Sequence, residues 1–304
     1  MIDRTGVDHL VLAAADLSSA LIQVFGAGTY VRSERAVGGG SINDTREVRL
    51  GDGRSVFVKV NDRRHTGLFL EEARGLLALA QAEGPRVPQP LALFEDSARQ
   101  YLLLEYVASG SPDHSFWDRF GQALAGMHRT NRAPRPGFYA DNHIGSTPQE
   151  NAWMTSWHEF FAERRLRRQM ELARRHDRAD TAMEQALERL IARLSELIPD
   201  LDEGGASALH GDLWGGNFMV SASGEPVLID PAVYYGHREA DLAMTQLFGG
   251  FSERFYQAYT ATWPLVPGFA DRRDLYNLYH LLNHLNLFGT GYLGGCRAIL
   301  RRFS

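Results

Sequence analysis

Apolar positions recur at near-helical spacing over the first 26 residues, at Leu10, Val11, Leu17, Leu21, Ile22 and Phe25, and predict one or two amphipathic helices that pack on a core before Gly26. From Glu34 the period drops to two. Strands are expected at Glu34 to Val37, Thr45 to Leu50 and Ser55 to Val60, with the Gly-rich loop GGGSIND between the first two and the turn GDGR between the others. Asp52-Gly53 marks a tight hairpin, because glycine takes the positive φ that such turns require. Leu68 to Gln81, rich in Leu, Ala and Glu, reads as a helix ended near Gly84-Pro85, and short strands follow near Leu91 to Glu95 and Gln100 to Tyr106. ASGSPD, residues 108 to 113, reads as a linker. Beyond it, helices are expected around Phe116 to Arg129, Trp153 to Arg175 and Asp180 to Leu197, then a hairpin from Ala208 to Ile229, then helices to the end.

This pattern predicts an α+β chain of two lobes. Residues 1–107 form a small antiparallel-sheet lobe with a hinge near 105–110, and residues 108–304 form a larger, mainly helical lobe. A length of 304 residues agrees with two subdomains, and 44% hydrophobic residues with a folded chain. Apolar runs such as Tyr101 to Leu104 and Leu285 to Phe288 fall far short of a membrane span, so no membrane is expected. The opening MIDRTGVDHL places acids where a secretory signal carries a basic region. The lone Cys296 has no partner for a disulfide and fits a reducing cytoplasm. A formal charge of −5 argues against nucleic acid as the partner.

Within the charge count lies an asymmetry: 31 arginines and one lysine, Lys59. Surface cations tolerate arginine. A site that needs a compact ammonium on a thin stem does not.

The stretch most specific for chemistry is His210-Gly211-Asp212-Leu213-Trp214-Gly215-Gly216-Asn217, followed thirteen residues later by Asp230 at the end of PVLID. Phosphoryl transfer asks a protein to hold Mg²⁺ against the phosphates, align an acceptor hydroxyl, and take up its proton late. Asp212 suits the last two tasks, while Asn217 and Asp230 supply the hard oxygen ligands that Mg²⁺ prefers. The order Asp-x₄-Asn, hairpin, Asp matches the catalytic and metal loops of protein kinases, with Gly211 and Pro231-Ala232 replacing other residues.

Upstream, Gly38, Gly39, Gly40 and Ser41 open a loop whose backbone N–H groups can approach phosphate oxygens without Cβ obstruction. Lys59 lies in VFVKV, where a third strand aims it beneath that loop. An anchoring glutamate belongs on the next helix. Glu71 and Glu72 compete for the role and point about 100° apart. Glu72 is preferred because Leu68, Leu76 and Leu79 share its side. In YLLLEYV, the backbone at Glu105 and Val107 is placed to bind an adenine edge as an exposed hinge.

Together these motifs resemble the fructosamine kinase, or ketosamine-3-kinase, family, which shares a protein-kinase-like fold with aminoglycoside phosphotransferases. The likeness spans nearly the whole chain. It is carried by GGGSIND (38–44), FVKVN (57–61), the Glu72-Ala73 helix, GFYADNHIGSTPQ (137–149), HGDLWGGN (210–217) and, above all, IDPAVYYGHREADLAMTQLFGGF (229–251). The resemblance implies ATP-dependent phosphorylation of O3 of the ketose in a glycation adduct, whose unstable phosphate then frees the amine. The partner is a small ketosamine or a glycated protein amine. Position by position, it makes Asp212 the catalytic base, Asn217 and Asp230 the Mg²⁺ ligands, Lys59 with Glu72 the phosphate anchor, and Asp241 a brace for the catalytic loop. Some relatives carry a cysteine in the Gly-rich loop; here Gly40-Ser41 stands instead, so no thiol switch is expected there.

Other readings compete. A kinase of the aminoglycoside or choline type would use the same ATP machinery on a different hydroxyl. His280 and His284, four apart, have zinc-binding spacing but lack the intervening glutamate of a metalloprotease. Trp214 and His284 are candidates to contact a polyhydroxylated substrate. Glu163 to Arg175, ERRLRRQMELARR, is basic enough for RNA, though amphipathic spacing favours a solvated helix face.

Overall fold

The structure is a computed structural model that describes residues 6–38, 44–64 and 67–304. Five antiparallel strands, β1 (Val31–Ala36), β2 (Asp44–Leu50), β3 (Ser55–Asp62), β4 (Pro90–Glu95) and β5 (Arg99–Glu105), join in the order β1-β2-β3-β5-β4. Alternation along β3 decides what each face carries. Val56, Val58 and Val60 point into a core with Val48, Leu50 and Leu103 and with Ala20 and Leu21 of helix α1 (Leu17–Phe25). Lys59, one step out of phase, therefore projects from the opposite face. Helix α1 opens on a capping box between Asp16 and Ser19, which satisfies N–H groups the first turn leaves free. The β2–β3 turn is closed by Gly53 at φ +91° and by the Asp52 carboxylate accepting from Arg54 N–H at 3.0 Å.

Two compact units are distinguishable: Met1–Gln81, Pro85–Phe116 and Gly216–Pro231 in one, Ala82–Gly84, Trp117–Gly215 and Ala232–Ser304 in the other. Residues 216–231 thus belong with the sheet although they come late in the chain. Backbone hydrogen bonds explain this membership. In the hairpin of Phe218–Val220 and Pro226–Leu228, Pro226 C=O accepts from Arg86 N–H and Leu228 N–H donates to Arg86 C=O, at 3.1 and 2.8 Å. On its other side Gly110 N–H donates to Val220 C=O at 2.8 Å and Ala222 N–H to Ala108 C=O at 2.7 Å.

The second unit is mainly helical, from α3 (Phe116–Thr130) to the helices Phe269–Phe288 and Leu293–Phe303. Its polypeptide also forms a three-stranded sheet in which Ala206–Leu209 lies between Arg132–Ala133 and Tyr234–Gly236. This corrects the expected Ala208-to-Ile229 hairpin: Ala206–Leu209 pairs with Tyr234–Gly236, and only 218–228 forms a hairpin. The expected Trp153-to-Arg175 helix begins at Trp157, after the Ser156 cap, and runs as a π-helix over Phe161–Arg167. No helix among the described residues is long and apolar enough to cross a membrane.

Candidate active site

In the first unit the sheet and the late hairpin bring three charged groups together. Lys59 is only 6% exposed, and its ammonium meets Glu72 Oε1 at 2.7 Å and also the Asp230 carboxylate. Burial alone would push the ammonium down, but the charges of Glu72 and Asp230 overcome it, and Lys59 is held protonated well above its usual range. Glu72, rather than Glu71, is the partner. Helix α2 (Leu68–Leu79) buries Phe69, Ala73, Leu76 and Leu79, and Glu72 lies on that stripe; Phe69 takes the inward place expected of Leu68, which is half-buried.

Asp230 sits at φ 53°, a left-handed conformation that few residues other than glycine adopt but that aspartate tolerates. Its side chain is 42% exposed although it touches Lys59. Asn217 is buried, and its carbonyl accepts from Ile229 N–H at 3.0 Å, tying the two ends of the hairpin together next to Asp230. Burial, with the charge of Asp230, raises the Glu72 carboxyl, while the ammonium of Lys59 opposes that rise. Asp230 and Asn217 are the residues here that could offer oxygen ligands to a divalent cation. No cluster of three or more His, Cys, Asp or Glu that could hold a metal occurs among the described residues.

The Gly-rich segment follows β1. Val37 N–H donates to Thr45 C=O at 2.9 Å, closing the β1–β2 ladder around it. Gly38 is exposed, while Gly39, Gly40 and Ser41 lie outside the described residues. The expected exposed hinge is modified. Glu105 N–H donates to Gln89 C=O at 2.8 Å, and its side chain pairs with Arg86. Val107 is buried, and its N–H has no backbone partner among the described residues. The cause is the short Gln89 segment, which extends pairing one residue past the sheet.

In the second unit the strand Ala206–Leu209 delivers His210-Gly211-Asp212 into a tight turn. Gly211 has φ +81°, and a Cβ there would stand 2.1 Å from the carbonyl oxygen of Ala232. Ala232 N–H in turn donates to His210 C=O at 2.8 Å. The buried Asp241 carboxylate accepts from His210 N–H at 2.7 Å and Gly211 N–H at 2.8 Å, and His128 Nε2 lies 3.2 Å from it. Burial would raise the Asp241 carboxyl, but His128 and these donors more than offset it and keep it ionised. Burial holds His128 neutral despite Asp241. Its Nε2–H then donates to Asp241, and Nδ1, 2.9 Å from the Tyr259 hydroxyl, accepts from it. Asp241 thus braces the segment that carries Asp212. His128 and Tyr259 were not legible in the sequence: each looks like a routine residue on an amphipathic helix.

Trp214, 39% exposed, stands edge-on to Phe248 at 6.4 Å, and Phe248 packs on His284 at 4.7 Å. Phe288 and Tyr292 flank the same imidazole at 5.2 and 5.1 Å. The two substrate candidates therefore share one aromatic cluster, joined by Phe248, which lay unremarked inside the 229–251 block. His284 Nδ1 is engaged by His280 C=O at 2.9 Å, the hydrogen bond expected within a helix rather than at a metal. Most arginines of 163–175 meet acids: Arg164 pairs with Glu150, Arg167 with Glu163 and Glu188, and Arg168 and Arg175 with Glu171.

Comparison with known proteins is consistent across the length of the chain. The family model described as fructosamine kinase matches residues 13–303. A "probable ketoamine kinase" of Synechocystis is 42% identical over 286 residues, which is 94% of this chain and 95% of the relative. The chloroplastic protein-ribulosamine 3-kinase of Oryza sativa subsp. japonica is 39% identical over 305 residues, covering 98% of this chain and 87% of the relative. Among solved structures, a "putative fructosamine-3-kinase" of Thermobifida fusca matches at TM-score 0.83 and 33% identity, covering 95% of this chain and 99% of that one. An amicoumacin kinase, at TM-score 0.57 and 13% identity over 89% of this chain and 87% of that one, shares the fold alone. The architecture is thus the α+β, protein-kinase-like one.

Proposed function

The chain belongs to the fructosamine kinase family, and from that membership we propose that it transfers the γ-phosphoryl group of ATP to a sugar hydroxyl, O3 of the ketose, in ketosamine adducts such as ribulosamines or fructosamines. The observation that carries this reading is the Lys59–Glu72–Asp230 cluster, which unites the chain's buried lone lysine with a metal-type aspartate from 171 residues later in the sequence. Lys59 binds phosphate oxygens, and Glu72 holds its ammonium in place. Asn217 and Asp230 are the residues that would hold Mg²⁺, which when bound neutralises phosphate charge. Asp212 orients the acceptor hydroxyl. As that oxygen bonds to phosphorus and the bond to the leaving ADP oxygen breaks, Asp212 takes up the hydroxyl proton late, because a carboxylate is too weak a base to remove it beforehand.

Gly38 to Ser41 supply backbone donors to the phosphates, and the hinge at Glu105 and Val107 contacts adenine, with the Val107 N–H as donor. Trp214 and His284, with Phe248, offer a flat apolar surface for the pyranose or chain of the sugar and a polar ring edge for its hydroxyls. The acceptor is a free ketosamine or one carried on a protein amine. The test is purified protein with MgATP and a panel of ribulose-, erythrulose- and fructose-lysine adducts, read by ADP release and by the position of the phosphate. ATP-dependent turnover of an aminoglycoside or of choline, with none of any ketosamine, would replace this reading by the alternative one.

A further inference from the structure

One part of the sequence that the proposed reaction leaves without a task is GFYADNHIGSTPQ, residues 137–149. Its last residue, Gln149, is 2% exposed and uses both ends of its carboxamide. Gln149 Nε2 donates to Ala232 C=O at 3.1 Å and to Asn142 Oδ1 at 2.8 Å, and Gln149 Oε1 accepts from the Tyr279 hydroxyl at 2.6 Å. Asn142 continues the chain: Nδ2 donates to Val233 C=O at 2.8 Å, and Oδ1 also accepts from Asn151 Nδ2 at 2.9 Å. Asn151 Oδ1 in turn accepts from Arg165 at 2.7 Å.

Arg165 is fully buried in the π-helical turn Phe161–Arg167. Its guanidinium lies over Tyr234 at 4.0 Å and Phe160 at 4.6 Å, and it also donates to Glu150 C=O at 2.8 Å. Three buried carboxamides and a buried guanidinium are costly to desolvate, and an apolar core of the same volume would serve stability as well. What they specify is the place of two adjacent carbonyls, those of Ala232 and Val233. Ala232 is also the residue whose N–H holds His210 C=O and whose carbonyl oxygen fills the space beside Gly211.

We propose that Gln149 is a positioning residue for phosphoryl transfer: clamped by Tyr279 and by the Arg165–Asn151–Asn142 chain, it fixes Ala232 and so the backbone joint with His210-Gly211 that sets Asp212. Ala232 lies two residues after Asp230 in the chain. The inference rests on the phosphotransferase reading for its kinetic test and not for its structural one.

Three variants carry the test. Gln149→Met keeps the length of the side chain and removes both kinds of hydrogen bond; kcat should fall at least ~10-fold, with the KM for ATP within about twofold, as for loss of an interaction that serves the transition state. Gln149→Glu keeps the acceptor for Tyr279 but turns oxygen toward Ala232 C=O and Asn142 Oδ1. Burial beside those carbonyls raises its carboxyl. Activity relative to wild type should therefore recover as pH falls and the carboxyl regains a donor proton, whereas the Gln149→Met defect stays flat with pH. Tyr279→Phe frees one end of the amide and should give a smaller kcat loss of the same type. Amide hydrogen exchange of the peptides spanning 208–213 and 230–235 provides the readout independent of substrate: protection should drop there in Gln149→Met and be retained elsewhere. If wild type turns over no ketosamine but this local loss of protection is seen, the substrate reading fails and the positioning role stands. Wild-type kcat in Gln149→Met, a Gln149→Glu pH profile parallel to wild type, or unchanged exchange at 230–235 would overturn the proposal. Should Gln149→Met not fold, the Gln149→Glu pH profile and Tyr279→Phe decide by the same criteria.

Discussion

Replacing Lys59 by methionine removes the ammonium from between Glu72 and Asp230 while filling nearly the same volume, so its cost is electrostatic. Breaking a buried ion pair by deleting one partner typically costs about 3–5 kcal/mol. Here the ceiling is lower, because Glu72 can escape by taking a proton. Once Lys59 is gone, burial and the charge of Asp230 act on Glu72 and both push its carboxyl up. Neutralising a glutamate that ordinarily titrates at 4.5 costs about 1.4 kcal/mol for each pH unit above that value, hence about 3 kcal/mol at pH 7 and about 1.4 kcal/mol at pH 5.5. Asp230 is 42% exposed, so its loss is screened by solvent and adds little. The sign follows from proton binding. The folded variant holds a proton on Glu72 that the unfolded chain releases above its own carboxyl range, so stability falls as pH rises through that interval. Denaturant unfolding of wild type, Lys59→Met and the double variant Lys59→Met/Glu72→Gln at pH 5.5 and 7.0 checks this. The single variant should lose about 2–3 kcal/mol at pH 7 and about half of that at pH 5.5, and the double variant should recover most of the loss. An equal penalty at both pH values, or no recovery in the double variant, would refute the buried pairing of Lys59 with Glu72.

Lys59→Arg keeps the charge, but the wide planar guanidinium does not fit the buried site of a thin-stemmed ammonium; phosphorylation should fall at least ~10²-fold by ADP release, and near-normal turnover would show that position 59 needs only a positive charge. Asp212→Ala should leave binding of a fluorescent ATP analogue within a few-fold and lower phosphorylation by at least ~10²-fold, the usual contribution of a positioned base, so wild-type turnover would remove Asp212 from the mechanism. Gly211→Ala puts a Cβ 2.1 Å from Ala232 O at φ +81°; left-handed strain and overpacking together should destabilise by about 2–4 kcal/mol in thermal or urea unfolding, and a neutral result would mean that this backbone contact is looser than it stands.

Period and punctuation were enough to read β1 to β5, both helices of the first unit and the long helices of the second, because each of those elements buries a face whose repeat is written in consecutive residues. The choice of Glu72 over Glu71 was legible for the same reason: a helix stripe is a local property. Motif spacing likewise singled out Asp212, Asn217 and Asp230 as candidates. Pairing partners were less legible. Ala206–Leu209 looked like half of a hairpin and instead joins Tyr234–Gly236, since a short apolar strand can pair with any neighbour of suitable pattern and only the packed chain selects one. Burial of Val107 and the use of Glu105 N–H by Gln89 were hidden for a similar reason.

What the sequence by itself determined is the set of chemical groups and their local faces: one ammonium, the carboxylates and carboxamide of the 212–230 stretch, a glycine just before Asp212, and strands and helices with defined inner sides. What tertiary structure alone decided is which distant groups meet. Lys59 reaches an aspartate 171 residues away, Asp241 braces His210 and Gly211 from 31 and 30 residues downstream, and Gln149 grips Ala232 across 83. Hydrogen bonds and ion pairs of this kind depend on distance and direction in space, on which hydrophobic periodicity carries no information, so they come into being only when the apolar faces have packed.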